Sequence, residues 1–383
     1  MKTNRLTLIY KGENLMNSSR SVDERNMLAK AFVKECYADI VANPITANEI
    51  GSADMEIGIL ERLIPIKQKG FRGIVLTAIV GKHLDPSFDP IENFYQCHPR
   101  SIFEKGIFYA LQECGIPCGK SDPLNVAKNA NKLDDAWASG RRPETAALAA
   151  VEYIRLLNQQ WDDEHRRNRL IRLYFSKLND FADLVRSKNV SVGSFEGTIS
   201  IDTASKLGDF VVNCPEGGAI PQYVVGCIIR ILRQNDSLYG SVGGVEESVF
   251  GTNTTSKKPA DIWETLSDRS YGGLYEVTVK KIDKKRLDDC VDALSALSIS
   301  NLEITFICNL PNDTLSLGNI GNSLEHRGVG FQFIDIRLFI LTVFILLTQV
   351  QQDQVVNAVQ EFVHDNNRHI KTKDYWSENF VSN

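Results

Sequence analysis

The segment from Lys257 to Arg286 contains three residues whose types and spacing could do chemistry together. They are Asp261, which follows a proline and an alanine, and Glu276 and Lys280, which lie further along the chain. Two carboxylates that converge without a cation for each repel one another, and burying them costs free energy unless a proton or a metal ion lies between them. Mg²⁺ suits such a pair, because it binds one or two carboxylates and keeps water and phosphate oxygens as its other ligands. The residues therefore indicate metal-assisted hydrolysis of a phosphodiester, with a lysine near the attacking water.

Two strands would have to position these residues. Leu274 to Ile282 is predicted to be a strand, because it is rich in β-branched residues and tyrosine and follows the glycine turn at 272–273. A period of two places Glu276, Thr278 and Lys280 on one polar side and the apolar residues between them on the core side. Asp261 lies in a shorter apolar run, 259–263, and the polar loop at 267–273 would let the two runs pair as antiparallel strands. Asp261 would then lie opposite Glu276.

These motifs resemble a known nuclease superfamily. Pro259-Ala260-Asp261, followed by Glu276-Val277-Thr278-Val279-Lys280 and then by a helix and another strand, is similar to PD-(D/E)XK nucleases, and most of all to type II restriction endonucleases. The resemblance covers roughly residues 190 to 350. It implies a restriction-endonuclease-like core with a mixed sheet, in which Asp261 and Glu276 bind Mg²⁺ and a lysine attends the attacking water.

The chain departs from the superfamily pattern at the lysine. The usual position, two residues after the glutamate, is Thr278. We assign the role to Lys280, which lies on the same face of the predicted strand but about 7 Å further along it, at roughly 3.3 Å per residue.

The resemblance also implies partners. The substrate would be double-stranded DNA, cut at a specific sequence. A homodimer would cut both strands of a palindromic site, because two-fold protein symmetry matches two-fold sequence symmetry. A cognate DNA methyltransferase that protects the host DNA is implied by the resemblance alone.

The rest of the chain predicts an α/β protein with a helical N-terminal region. Its 383 residues, 43% of them hydrophobic, are sufficient for two domains or for one core with a large elaboration. We divide the chain into a loose N-terminus (1–25), a helical region that is added to the core and binds DNA (26–188), an α/β nuclease core (189–365) and a polar tail (366–383). The core segment is predicted to run helix, strand, Asp-bearing strand, Glu-bearing strand, helix, strand, strand.

Any contact with DNA must come from local groups, because the net charge of −5 excludes a generally basic surface. The candidates are Asn125, Lys128 and Asn129, near a predicted helix start, and Lys257 and Lys258, which precede Asp261. Such side chains suit base edges and phosphates, and they suit a solvated helix equally well.

The sequence also predicts a cytoplasmic protein without a membrane span. No signal peptide is evident, and eight cysteines in a chain of this length indicate reduced thiols. The most apolar stretch, 331–348, is interrupted by Asp335 and Arg337, which leaves fewer than the about 18 consecutive apolar residues that a membrane span needs.

Three alternatives remain open. A non-catalytic DNA-binding protein on a decayed nuclease core is compatible with Thr278 at the lysine position. A structure-specific repair nuclease of the same superfamily would use the same carboxylates. An interaction protein in which Glu276 and Lys280 belong to a solvated strand face would bind neither DNA nor Mg²⁺.

Overall fold

The computed structural model describes residues 21–46, 53–130, 132–189, 200–246, 257–300, 303–318 and 320–380. The chain divides into two compact units, Met1–Ser187 and Lys188–Asn383, which we call the N-terminal and C-terminal units. The sequence predicts the change from helical to mixed character after residue 188. In its described residues the chain is an α/β protein, with a six-stranded mixed sheet and many helices.

The regular elements of the N-terminal unit are all helical within its described residues. In chain order they are α1 (Val22–Ala42), α2 (Asp54–Leu63), α3 (Gly70–Leu84), α4 (Pro99–Ile102), a π-helical turn (Phe103–Ile107), α5 (Phe108–Glu113), α6 (Asp122–Ala127), α7 (Asp135–Ser139), α8 (Glu144–Gln159) and α9 (Glu164–Ser187), with a short 3₁₀ turn at Phe94–Cys97.

Side-chain caps mark the starts of two of the longer helices, α1 and α9. The side chain of Ser21 accepts a hydrogen bond from the backbone N–H of Glu24, so α1 begins at Val22 and residues 22–25 are helical instead of belonging to a loose N-terminus. Asp163 accepts from the N–H of Arg166 at the start of α9 in the same way. The chain from Glu144 to Ser187 therefore forms two helices, α8 and α9.

The C-terminal unit contains the sheet. Its helices and strands, in chain order, are α10 (Ser200–Asn213), α11 (Ala219–Arg233), β1 (Tyr239–Gly243), β2 (Ile262–Leu266), β3 (Tyr271–Val277), α12 (Lys284–Ala296), β4 (Ile304–Cys308), β5 (Ser323–His326), β6 (Val329–Asp335), α13 (Ile336–Leu346), α14 (Gln349–His364) and α15 (Ile370–Phe380), with 3₁₀ turns at Glu216–Gly218 and Asn312–Leu317.

The strands lie in the order β1-β2-β3-β4-β6-β5. The first three form an antiparallel meander, whereas β3, β4 and β6 are parallel to one another, and β5 returns antiparallel at the edge. Parallel neighbours need a crossover connection, and α12 supplies the one from β3 to β4. The sheet is therefore mixed, with a parallel centre.

Both faces of the parallel strands are buried, which corrects the expectation of a polar face on the Glu276 strand. Val277 and Ile307 pack into a core formed with α11, α13, α14 and α15. Leu274 and Phe306, which point to the other face, pack into a second core with α12. The reason is topological: a crossover helix covers the face over which it passes. Glu276 shares that covered face and is fully buried.

Residues 370–380 of the segment expected to be a polar tail fold as α15, whose Trp376 and Phe380 are buried in the core of the C-terminal unit. The most apolar stretch contains strand β6 followed by α13. Among the described residues, no helix has both the length and the apolar character that crossing a membrane requires.

Candidate carboxylate site

The pairing of β2 with β3 places Asp261 beside Glu276, as the sequence predicts. The antiparallel register joins Ile262 to Tyr275 and Trp263 to Leu274. Continued by one residue, the same register sets Asp261 against Glu276. The backbone N–H of Val277 donates to Asp261 Oδ2 at 3.1 Å, which fixes the aspartate carboxylate at the end of β3.

Helix α11 and the end of β1 hold the backbone of Asp261. The buried amide of Gln222 donates to the carbonyl oxygen of Gly244 at 2.6 Å and to that of Asp261 at 3.3 Å. Gly244 adopts φ +85°, and a Cβ atom at this position would lie 2.0 Å from the carbonyl oxygen of Asp261. Only glycine fits there, because the conformation and the close approach both exclude a side chain. Neither Gln222 nor Gly244 is among the residues predicted from the sequence.

Glu276 lies deepest in the site. Its side chain is only 1% exposed, whereas that of Asp261 is 16% exposed. Burial and, next to it, the neighbouring Asp261 carboxylate raise the pKa of Glu276 to about 8, while Arg286 acts in the opposite direction. Two adjacent negative charges are therefore unfavourable in this buried pair.

Arg286 is the cation that contacts both carboxylates. Its Nη2 donates to Glu276 Oε2 and to Asp261 Oδ2, the second at 3.3 Å. The Glu276 carboxylate is the main cause that raises the pKa of this guanidinium. Arg286 lies in the first turn of α12, where the side chain of the N-cap residue Asp283 accepts its backbone N–H at 3.0 Å. The signal in the sequence was the capped helix start shortly after the strand, because the third residue of that helix is Arg286.

The structure does not place Lys280 beside the carboxylates. Strand β3 ends at Val277, and Lys280 lies in a bend beyond it, so the predicted strand to Ile282 is too long. The backbone N–H of Lys280 donates to Thr278 Oγ1, and its Nζ donates to the carbonyl oxygen of Gly217 at 3.1 Å. Side chains alternate between the two faces only as far as β3 pairs with its neighbours. Lys280 lies beyond that point, and this is why the prediction that it shares a strand face with Glu276 is wrong. The assignment of Lys280 to the attacking water comes from the sequence alone, and this geometry adds no support to it.

The predicted DNA-contacting residues belong to two different units. Asn125, Lys128 and Asn129 are exposed at α6 and just after it, and the N–H of Asn129 donates to the hydroxyl of Tyr95 at 2.7 Å. Lys257 is exposed and Lys258 is partly buried, both close before Asp261 in the C-terminal unit. Their contact with DNA remains a prediction.

The carboxylate pair fits a hard divalent cation better than a soft one. Its donors are carboxylate oxygens, which Mg²⁺ prefers, and two of them leave room for water and phosphate. Within the described residues no group of three or more histidine, cysteine, aspartate or glutamate side chains could hold a metal. Any ion bound here would therefore take most of its ligands from water and substrate.

Comparison with known proteins adds no family to this picture. No protein-family model matches the chain, and none of the curated proteins is significantly similar to it in sequence. The case for a function therefore depends on the carboxylate site and on the order of the elements that hold it.

Proposed function

We propose that this protein is a Mg²⁺-dependent endonuclease of the restriction type, which hydrolyses phosphodiesters in double-stranded DNA at a specific sequence. The observation that carries the proposal is the pair of adjacent carboxylates, the buried Glu276 in β3 and Asp261 directly before β2, which the pairing of these strands brings together. Burying two adjacent carboxylates costs free energy of folding, and binding a divalent cation is a function that accounts for keeping them together.

The order of elements supports the same proposal. Helix α11, the meander β1-β2-β3, the crossover helix α12 and the parallel strand β4 follow one another as expected for a PD-(D/E)XK core. Asp261 directly precedes β2 and Glu276 is in β3, which are the positions that the resemblance assigns to the metal ligands. The homodimer and the cognate methyltransferase are part of this proposal.

In the proposed mechanism the protein's residues mainly hold the metal ion and keep its ligands oriented. Asp261 and Glu276 would bind Mg²⁺, while Val277 and Gln222 keep Asp261 in position through its carboxylate and its backbone. Bound Mg²⁺ supplies polarisation of a phosphoryl oxygen and activation of the attacking water. Because Glu276 is buried and packed, it needs little reorganisation when substrate arrives.

The test is cleavage of mapped plasmid or phage DNA by the full-length protein, with Mg²⁺ and with EDTA. We expect discrete fragments that require Mg²⁺ and disappear in Asp261→Asn and Glu276→Gln. Glu325→Gln is the matched control, because Glu325 is an exposed carboxylate on the edge strand β5. Cutting that follows branches or damage instead of sequence would favour the repair nuclease. Folded protein that cuts no unmethylated DNA would refute the proposal.

One observation favours a second candidate, a DNA-binding protein on a decayed nuclease core. Arg286 already contacts both carboxylates, and threonine stands at the usual lysine position. This candidate predicts binding to duplex DNA without cutting, at equal affinity in Mg²⁺ and in EDTA. The cleavage assay and a mobility-shift assay on the same DNA distinguish the two candidates.

A further inference from the structure

A single guanidinium nitrogen lies where the two carboxylates converge. Arg286 Nη2 donates to an oxygen of Glu276 and to an oxygen of Asp261. A divalent cation held by the same two residues would need this region, and it would be repelled by the guanidinium charge. Arg286 and a metal ion are therefore competitors for one place.

Arg286 is the member of the cluster that can leave. Its side chain is 40% exposed, whereas that of Glu276 is 1% exposed. The backbone of Arg286 is held by the Asp283 cap and by α12, so its side chain can turn outward while the helix stays intact. The long, flexible side chain and the exposed path make this a rotamer change that needs no refolding.

The surroundings of Arg286 favour phosphate as its outward partner. The segment from Lys280 to Arg286 carries four lysines, at 280, 281, 284 and 285, and all four are exposed. Two of them directly precede Arg286 in the first turn of α12. A guanidinium binds phosphate oxygens through two parallel hydrogen bonds, which compensates for the contacts it loses.

We propose that Arg286 exchanges between the carboxylate pair and a phosphate of the bound nucleic acid, so that metal enters as substrate draws the guanidinium away. This inference rests on the proposed function and deepens it. Because coupling between two ligands is reciprocal, DNA tightens metal binding and metal tightens DNA binding by the same factor. Without nucleic acid, Arg286 keeps the carboxylates paired and the metal affinity low.

The first experiment measures Mn²⁺ affinity by electron paramagnetic resonance on the full chain without DNA. Arg286→Met removes the competing charge, and we expect it to bind Mn²⁺ at least tenfold more tightly than the wild type. Arg286→Lys keeps a cation and should remain within about threefold of the wild type. The double variant Asp261→Asn with Arg286→Met should lose the gain. Equal or weaker Mn²⁺ binding by a folded Arg286→Met protein overturns the exchange.

Arg286→Met leaves two carboxylates without a cation and could fail to fold in the absence of metal. The second experiment therefore uses the unaltered protein, with Mn²⁺ affinity measured with and without a phosphorothioate duplex that resists hydrolysis. We expect binding at least fivefold tighter with the duplex, after subtraction of the same titration with Asp261→Asn. Unchanged affinity overturns the exchange. The Arg286→Met arm contains no DNA, so a failed exchange is distinguishable from a failed function, which is the absence of Mg²⁺-dependent cutting by the wild type.

Discussion

Replacing Asp261 by asparagine should stabilise the C-terminal unit at high pH while abolishing DNA cutting. The asparagine oxygen can still accept the N–H of Val277, whereas the negative charge beside Glu276 is removed. The amide nitrogen becomes a donor on the side of the Glu276 carboxylate. A residue that serves catalysis at the expense of the fold behaves in this way, and a structural residue does not.

The magnitude follows from the pKa of Glu276. Its rise from 4.5 to about 8 corresponds to about 5 kcal/mol, at about 1.4 kcal/mol for each pH unit. Burial is the largest cause and the Asp261 carboxylate is the second. A contribution of about one pH unit from a neighbouring like charge would be worth about 1.4 kcal/mol. Between these two pH values the folded state holds a proton that the unfolded state has released. The free energy of unfolding therefore falls as pH rises from about 4.5 to about 8, and the fall should be shallower in the variant.

The assay is urea unfolding at pH 5 and pH 9, followed by tryptophan fluorescence. Trp263 and Trp376 report on the C-terminal unit. We expect Asp261→Asn to exceed the wild type by about 1 to 2 kcal/mol at pH 9 and by much less at pH 5. Glu325→Gln, an exposed carboxylate of the same sheet, should change stability little at either pH. A loss of about 1 kcal/mol or more in Asp261→Asn at pH 9 would refute the reasoning and make Asp261 a structural partner of Arg286.

Three further substitutions test the rest of the site and its unit. Gly244→Ala should cost about 2 kcal/mol or more in urea unfolding and lower Mn²⁺ affinity, because the added methyl group meets the Asp261 carbonyl; unchanged values would contradict this close approach. Lys280→Ala should change the free energy of unfolding by about 0.5 kcal/mol or less. The variant should cut DNA at a rate within about tenfold of the wild type, because Lys280 is exposed and donates to the carbonyl oxygen of Gly217. A loss of about a hundredfold, which is typical of a missing general acid or base, would show that Lys280 takes part in catalysis. Burial lowers the pKa of Lys373 to about 8, so the folded state loses this proton at lower pH than the unfolded state does. The free energy of unfolding should therefore rise from about pH 8 to about pH 10.5 in the wild type and stay flatter in Lys373→Met. Parallel pH profiles for the two proteins would contradict this role of Lys373.

The local pattern of the sequence was enough to predict the two strands and their carboxylates. β-branched residues and an apolar run predict β2 and β3, and their antiparallel pairing places Asp261 against Glu276. The predicted glycine turn at 272–273 is wrong, because both glycines lie inside β3. Helix α12 and strand β4 were predicted because periodicity and breakers are local properties.

The environment of the carboxylates was decided by contacts distant in sequence. The crossover helix α12 buries Glu276 and brings Arg286 to it, and Gln222 and Gly244 fix Asp261 from other elements. The end of β3 at Val277, which removes Lys280 from the carboxylate face, depends on where pairing ceases. Helix α15 is likewise not evident from the sequence. Its few buried residues stabilise the helix only by packing into the core of the C-terminal unit, which the local pattern does not show. Residue types and local periodicity determined which groups could do chemistry, and tertiary packing determined their burial, their charge partners and the cation that now lies between them.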